Sequence, residues 1–356
     1  MQTALKPLQR ISPSQLSSLK KCRLRAVWAS NRVPNSLPIS PSSRLGIVVH
    51  RIIEITEKCS MDEEAFQKPW DQCVHEQEAQ MDKSWFERHL VPLSITAHDF
   101  HLKRSQCFLL LQARDSVAQS KKPAASKSFH EQWLQSKDGL VVGKADEIRV
   151  GREGLTIIDY KTGNVFGQST ETEVLSEYKE QLKLYAALFH EEHGDWPHDL
   201  IVVSLDGKSH HISYEQNECL ALLEESKNML RQVNGIIEAN DKAPRKLASP
   251  SQTNCRYCLY RPICEPYFLA RQVNSAEGWP NDAWGIVTEK KILRNGLLKV
   301  VLTPLSGTSL VSIRGLQLER HAALDVFQKI GVFSLYSDNS DNNYKEGPFT
   351  TIYGME

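Results

Sequence analysis

Two short apolar runs flank a glycine-bounded turn near the middle of the chain. Gly151-Arg152-Glu153-Gly154 forms the turn, with glycine at both ends and charge between them. Such a pattern predicts a β-hairpin. The first run contains Val141, Val142, Ile148 and Val150, and the second contains Leu155, Ile157 and Ile158.

Two aspartates and a lysine share one face of this predicted hairpin. If the turn is centred between Arg152 and Glu153, opposed residues have numbers that sum to 305, as Asp146 and Asp159 do. Opposed carboxylates, with Cβ atoms about 5 Å apart, repel each other, and strand alternation adds Lys161 to their face. A hard divalent cation would relieve the repulsion, and Mg²⁺ and Mn²⁺ prefer oxygen ligands. The alternative is a solvated hairpin edge that carries charges without chemistry.

The rest of the pattern predicts an α/β chain in which helices flank a few strands. Helices are expected at residues 11–28, 45–58, 61–117, 174–190 and 217–240, strands at 128–135, 200–205 and 210–213, and loops at 31–43, 120–128 and 163–172. Residues 278–356 contain short β-like runs, with turns at Asn295-Gly296 and Ser306-Gly307. We therefore expect a small C-terminal β-rich domain, for which an OB-like barrel is one option.

Composition and charge narrow the class of protein without identifying a partner. The 356 residues are enough for one large domain and a small one. Lys+Arg and Asp+Glu both number 43, so contact with DNA would depend on local basic patches. The N-terminus lacks the apolar run of a signal peptide, and no run of 18 apolar residues occurs, which favours a cytoplasmic protein without a membrane partner.

Three closely spaced cysteines near residue 260 predict a metal site. Cys255, Cys258 and Cys264 have the spacing C-x2-C-x5-C, and Cys22, beside four basic residues, is the candidate fourth ligand. Eight cysteines in a cytoplasmic chain favour thiols or metal ligands over disulfides. Four thiolates can hold zinc or a [4Fe–4S] cluster, and spacing alone does not separate the two.

The hairpin and two elements on either side of it resemble the PD-(D/E)XK nucleases, in particular their RecB-like exonuclease branch. Asp146 and the triplet Asp159-Tyr160-Lys161 match the catalytic motif, in which the first aspartate follows a small-residue turn, Gly143-Lys144-Ala145. Gly46-Ile47-Val48-Val49-His50 matches the histidine motif ahead of the hairpin, and Gln181 with Tyr185 matches the Q-x-x-x-Y motif after it.

This resemblance implies a restriction-endonuclease-like core with a central mixed sheet in residues 1–272, followed by a separate domain at 278–356. It implies that His50, Asp146, Asp159 and the Tyr160 carbonyl hold Mg²⁺ or Mn²⁺. It also implies that Asp146, Asp159, Lys161, Gln181 and Tyr185 take part in catalysis. The alternatives are that His50 is a core residue and that Gln181 and Tyr185 belong to an ordinary amphipathic helix.

The order of the cysteines, one before the nuclease motifs and three after them, resembles the iron–sulfur staple of AddB and of the CRISPR-associated RecB-like exonucleases. The resemblance implies that Cys22, Cys255, Cys258 and Cys264 bind a structural [4Fe–4S] cluster, with zinc as the alternative metal.

These features together predict a metal-dependent DNA exonuclease acting on single-stranded or end-containing DNA in repair, recombination or defence. A helicase or a defence-complex protein is the expected partner, since the chain has no Walker A sequence. One alternative is a catalytically inactive DNA-binding or assembly subunit, and another is a zinc-stapled structural protein. Strand polarity, endonuclease against exonuclease action, the pathway, the role of the C-terminal domain and the oligomeric state remain open.

Overall fold

The computed structural model describes residues 4–56, 62–120, 127–152, 154–167, 170–239, 243–273, 278–305, 309–338 and 342–355. The chain divides into two compact units. Unit 1 comprises Met1–Arg32, Pro41–Lys83 and Val91–Leu247, and unit 2 comprises Val33–Ser40, Ser84–Leu90 and Ala248–Glu356. Residues 248–272 thus pack with the C-terminal region, and a domain boundary between 272 and 278 stays a prediction.

A five-stranded mixed sheet forms the centre of unit 1. Its order is β1-β2-β3-β6-β7, in which β3 and β6 run parallel and the other neighbours run antiparallel. The strands of unit 1 are β1 Lys127–Gln135, β2 Val142–Gly151, β3 Gly154–Lys161, β4 Phe166–Gly167, β5 Thr170–Val174, β6 Asp199–Ser204 and β7 Ser209–His211. In the hairpin, Glu147 lies opposite Ile158 and Val150 lies opposite Leu155. The predicted register, with opposed numbers summing to 305, is therefore confirmed.

Helices flank this sheet, which confirms the predicted α/β class. The α-helices of unit 1 are α1 Leu16–Lys21, α2 Arg23–Ser30, α3 Pro41–Ile55, α4 Glu63–Asp82, α5 Leu93–Thr96, α6 Phe100–Ser120, α7 Ser176–His193, α8 Gln216–Ala239 and α9 Ala243–Leu247. In α3, Leu45, Val48, Val49 and Ile52 are fully buried at the spacing of one helical face. Full burial of such side chains contributes about 1.5–3 kcal/mol each, which fixes α3 to the core.

Three local predictions for unit 1 were wrong. The helix expected from residue 11 to 28 is broken at Cys22, whose backbone is extended, with φ −158° and ψ 107°. The segment 163–172, expected to be a loop, contains β4 and part of β5, which pair with each other. Gly143-Lys144-Ala145 is not a turn but part of β2. Of the linker expected at 120–128, residues 121–126 lie outside the described residues.

Unit 2 is built on a seven-stranded sheet. Its α-helices are α10 Gln252–Arg256 and α11 Glu265–Val273, and its strands are β8 Ala283–Ile292, β9 Leu298–Pro304, β10 Val311–Leu316, β11 Lys329–Phe333, β12 Tyr336–Ser337, β13 Asn343–Lys345 and β14 Thr351–Gly354. The order β12-β13-β10-β9-β8-β11-β14 is open at both ends, so the described strands form a half-barrel. Val287, Leu298, Val300, Leu302 and Ile313 are fully buried on it. The predicted β-rich region is confirmed, including the turn at Asn295-Gly296; Ser306-Gly307 lies outside the described residues.

In neither unit do the described residues include a helix long and apolar enough to cross a membrane.

Candidate active site

The two predicted aspartates lie at the end of the hairpin that is farther from its turn. Asp159 on β3 is only 2% exposed, and Asp146 on β2 is half-buried. Asp146 Oδ2 accepts a hydrogen bond of 2.8 Å from the backbone N–H of Tyr160. Burial and the neighbouring negative charge of Asp159 raise the pKa of Asp146 to about 7. The repulsion between the two carboxylates expected from the register is thus present in the folded protein.

Lys161 and Gln181 surround the Asp159 carboxylate. Lys161 Nζ lies 2.8 Å from Asp159 Oδ2 as an ion pair. Gln181, on α7, donates from Nε2 to Asp159 Oδ1 at 2.8 Å and accepts from Lys161 Nζ at 2.8 Å through Oε1. The helix after the hairpin therefore bridges the acid and the base of the D-x-K element, as the Q-x-x-x-Y motif suggested for Gln181.

Tyr185 lies one helical turn beyond Gln181 and contacts β2 instead of the carboxylates. Its hydroxyl donates to the carbonyl of Lys144 at 2.7 Å. A Cβ at Gly143 would stand 2.9 Å from the Tyr185 ring and 2.5 Å from Pro13. This close approach is the physical reason for glycine in the G-K-A-D segment, because any side chain would push α7 off the hairpin.

His50 projects from α3 toward the same end of the hairpin. It shares a cavity of about 60 Å³ with Glu54, Glu131 and Asp146. Its side chain is exposed, so it is not a core residue. Desolvation of the ring by the surrounding protein, and then the positive charge of Lys161, lower the pKa of His50. This favours the neutral imidazole that a metal needs. A Cβ at Gly46 would lie 3.1 Å from Thr162 Oγ1, so this glycine lets α3 approach the end of β3.

His50 also lines a larger cleft of about 590 Å³ beside the carboxylates. The lining includes Ser42, Ser43, Arg51, Lys103, Thr162 and Gly163. Arg51 and Lys103 are each paired with a nearby acid, Glu54 at 2.7 Å and Asp99 at 3.0 Å. Hydroxyls, a glycine backbone and partly neutralised cations are groups that contact phosphates.

Several further charged residues lie at or next to the site. Lys144 forms ion pairs with Glu54, at 3.1 Å, and with Glu131. Glu131 on β1 has a φ of 55°, the left-handed region that costs a non-glycine residue about 1 kcal/mol or more. Glu147 is buried at 2% exposure on the opposite face from Asp146. The available signal was strand alternation, which turns Glu147 toward the packed face, where a charge needs a partner.

The donor set fits a hard divalent metal. Asp159 Oδ2 is buried, and its partner among the described residues is the Lys161 ammonium at 2.8 Å. Two close carboxylates offer the negative oxygen ligands that Mg²⁺ and Mn²⁺ require. In this structure the two oxygens of Asp159 contact Lys161 and Gln181. Across the described residues, no three His, Cys, Asp or Glu side chains already stand as a metal site.

The four cysteines predicted to hold a cluster fall into different units. Cys22 belongs to unit 1, whereas Cys255, Cys258 and Cys264 belong to unit 2. The described residues contain no cysteine group that could hold a metal, so the structure does not support an iron–sulfur cluster. The segment with Cys255, Cys258 and Cys264 also contains Arg261. Its Nη1 donates to the carbonyls of Cys255 at 3.2 Å and Cys258 at 2.9 Å.

Comparison with known proteins identifies the class to which this fold and site belong. Residues 10–265 match the PD-(D/E)XK nuclease superfamily, so the chain belongs to that superfamily. Its members are nucleases that in general act on DNA with divalent metals such as Mg²⁺ or Mn²⁺. Among curated proteins, none matches the chain. The crystal structure of SSO0001 is similar at 16% identity over 70% of this chain and 95% of that chain, with a TM-score of 0.26, too low to support an argument.

Proposed function

We propose that the chain is a metal-dependent deoxyribonuclease that removes nucleotides from a DNA end. One observation carries this proposal: Asp146, Asp159, Lys161 and Gln181 are brought together at the open end of the hairpin. A degenerate assembly subunit would not need to retain two repelling acids, a lysine and a bridging amide. Keeping such a group buried lowers stability, and a role in a reaction explains why the chain retains it.

The residues take distinct roles in the proposed reaction. Asp146, Asp159, the Tyr160 carbonyl and His50 would hold Mg²⁺ or Mn²⁺, which activates water and stabilises charge on the scissile phosphate. Lys161, whose ammonium group lies 2.8 Å from Asp159, would help to neutralise the developing oxyanion. Gln181 holds Lys161 and Asp159 in register through its two amide atoms. Tyr185 fixes the backbone of β2 at Lys144, two residues before Asp146.

The 590 Å³ cleft is the proposed path of the DNA strand. It opens beside His50 and continues along Thr162 and Gly163, directly after Lys161. A DNA strand in this cleft would bring a phosphate close to the ammonium group of Lys161. The chain has no excess of basic residues, so we expect DNA affinity to be modest and salt-sensitive.

A comparison of linear and circular DNA tests the proposal. End-labelled and circular DNA, each single- and double-stranded, are incubated with the protein and Mg²⁺ or Mn²⁺, and Asp159→Asn protein serves as the blank. We expect degradation of linear DNA with a free end and none without metal. Cleavage of the circles would instead indicate an endonuclease. Metal binding without cleavage of any substrate would indicate the inactive assembly subunit.

The iron–sulfur cluster is a separate proposal that rests on the order of Cys22, Cys255, Cys258 and Cys264 alone. Iron and sulfide analysis of anaerobically purified protein tests it, with about four of each per chain expected for this cluster type. Cys22→Ala should lose the iron, and Cys107→Ala, which changes a buried cysteine outside the set, should keep it. Stoichiometric zinc without iron would point to a zinc site, and absence of both metals would end the proposal.

A further inference from the structure

A second polar group lies on the face of the hairpin opposite the carboxylates. Glu147 follows Asp146 and Tyr160 follows Asp159, so strand alternation turns both away from the metal-binding face. Both are almost fully buried, at 2% and 3% exposure. The family resemblance assigns a metal-binding role to the Tyr160 carbonyl, but none to the Tyr160 side chain or to Glu147.

The contacts of Glu147 satisfy both of its carboxylate oxygens. The Tyr160 hydroxyl donates to Oε2 at 2.6 Å, a short hydrogen bond to a charged acceptor. Arg149, two residues along β2, donates to Oε1 from Nε at 3.0 Å and from Nη2 at 2.8 Å. The Arg149 side chain is 42% exposed, so it neutralises Glu147 from the rim of the sheet.

Tyr160 connects this group with the candidate metal site. Its backbone N–H holds Asp146 at 2.8 Å, while its side chain is held by Glu147, the residue after Asp146. The same peptide unit joins Tyr160 to Asp159, and the next joins it to Lys161. A rotation of the Tyr160 backbone would therefore displace both carboxylates and the lysine together.

We infer that Glu147 and Arg149 are positioning residues that act through Tyr160 to set the separation of Asp146 and Asp159. This inference rests on the proposed metal-dependent function. A purely packing role would be met at lower cost by apolar side chains, because a buried carboxylate requires compensation for its lost hydration. Partners that orient metal ligands typically change metal affinity 10–100-fold when removed, on the order of the effect expected here.

Mn²⁺ binding to the DNA-free protein tests the inference. The concentration of free Mn²⁺ is measured by electron paramagnetic resonance during titration of wild type and Tyr160→Phe. The variant keeps the ring and loses only the hydroxyl that contacts Glu147. We expect its dissociation constant to rise by about 10–100-fold, with cleavage partly restored at high Mn²⁺.

Tyr214→Phe is the matched control. Its hydroxyl also donates to a buried partner of unit 1, the carbonyl of Pro197, yet it does not contact the hairpin carboxylates. We expect this variant to bind Mn²⁺ as wild type does. If Tyr160→Phe, folded as judged by its melting temperature, also binds Mn²⁺ with wild-type affinity, the group only packs the sheet and the inference is overturned.

Arg149→Met provides a second variant that does not depend on a fully buried position. It keeps the aliphatic stem and removes the charge from Glu147. A several-fold loss of Mn²⁺ affinity supports the inference, and an unchanged affinity overturns it even if Tyr160→Phe fails to fold. A wild-type protein that binds no Mn²⁺ would refute the proposed function, and this inference with it. A wild type that binds Mn²⁺ with variants that match it would refute only the inference.

Discussion

A buried aspartate occurs in each unit, and the two differ in the groups that surround their carboxylates. In unit 2, Asp282 is completely buried and accepts hydrogen bonds from Arg261 Nε at 2.7 Å, Tyr267 Oη at 2.7 Å and Ser334 N at 2.8 Å. In unit 1, Asp159 is almost as buried and contacts Lys161 and Gln181, each at 2.8 Å, but a second carboxylate, Asp146, lies beside it.

The pKa shifts of the neighbouring groups, Arg261 beside Asp282 and Asp146 beside Asp159, differ in the same way. Although burial disfavours the charged guanidinium, the Asp282 carboxylate raises the pKa of Arg261. In the hairpin, burial and Asp159 together raise the pKa of Asp146, which disfavours its charge. One carboxylate with a full set of partners marks a structural anchor, whereas two neighbouring carboxylates that share one lysine mark a position suited to a cation and to chemistry. The two regions therefore predict different consequences of similar substitutions.

The largest expected effect is on the stability of unit 2. Asp282→Ala removes the partner of a buried arginine and leaves the hydroxyl of Tyr267 and the N–H of Ser334 without their acceptor. We expect a loss of about 3–5 kcal/mol in the free energy of unfolding, because breaking a buried pair leaves an uncompensated charge. Urea denaturation followed by tryptophan fluorescence measures it.

Asp325→Ala is the control in the same unit, since Asp325 is exposed and its carboxylate, within the described part of the chain, accepts from the N–H of the next residue. It should change stability by less than about 0.5 kcal/mol. The double variant Arg261→Met with Asp282→Leu should regain part of the loss, because both charges are then absent. An Asp282→Ala protein as stable as Asp325→Ala would show that the contrast between the units does not hold.

The next largest effect is on catalysis in unit 1. Lys161→Met removes the ammonium group that pairs with Asp159. We expect the cleavage rate to fall about 10²–10³-fold, as for loss of one preorganised charge donor. Mn²⁺ binding should be at least as tight as in wild type, because the cation no longer competes with the lysine for Asp159. Steady-state cleavage and Mn²⁺ titration on the same preparation measure both quantities.

Lys68→Met, at an exposed position of α4, controls for the loss of one positive charge. It should retain the wild-type rate. A Lys161→Met protein that cleaves as fast as this control would remove Lys161 from the mechanism. Loss of Mn²⁺ binding would mean that the lysine supports the metal site instead of competing with it.

The elements that sequence predicted correctly depend on local interactions. The register of the hairpin follows from a glycine-bounded turn and from period-two alternation, both within about 20 residues. Gln181 reaches Asp159 because α7 is the first helix after β3 in the chain and packs on it. For this reason the sequence could predict that Asp146, Asp159 and Gln181 lie close together, whereas their roles stay a prediction.

The elements that sequence missed depend on distant packing. Residues 33–40 and 84–90 join unit 2 although nothing in their local pattern marks them. The helix break at Cys22 could not be predicted from a proline or a glycine, because neither residue occurs there. The predicted register places Glu147 and Tyr160 on one face, but it does not show that the tyrosine hydroxyl contacts the carboxylate, which depends on how the side chains pack. Gly143 was taken for a turn residue, whereas its role is to admit Tyr185.

The smallest expected effect separates repulsion within the hairpin from its chemistry. Asp146→Asn keeps an oxygen to accept the Tyr160 N–H and removes the charge beside Asp159. In metal-free wild type the pKa of Asp146 is about 7, against an ordinary value of 3.8. Between these values the folded state holds a proton that the unfolded state has lost, so wild-type stability falls as pH rises from about 4 to 7. The variant lacks this loss and should be more stable than wild type at pH 8, by roughly 1–2 kcal/mol after allowance for solvent screening.

Thermal melts in a chelator, at pH 5 and pH 8, measure this difference. At pH 5 the folded wild type still holds the Asp146 proton and only part of the loss has occurred, so the melting temperatures of the two proteins should differ less than at pH 8. At pH 8 the variant should melt a few degrees higher while showing no cleavage. Asp71→Asn, on the exposed surface of α4, should follow wild type at both pH values. A stabilisation that is equal at pH 5 and pH 8 would mean that the charge of Asp146 is not what the folded hairpin opposes. The contrast with Asp282 would then be one of hydrogen bonding alone.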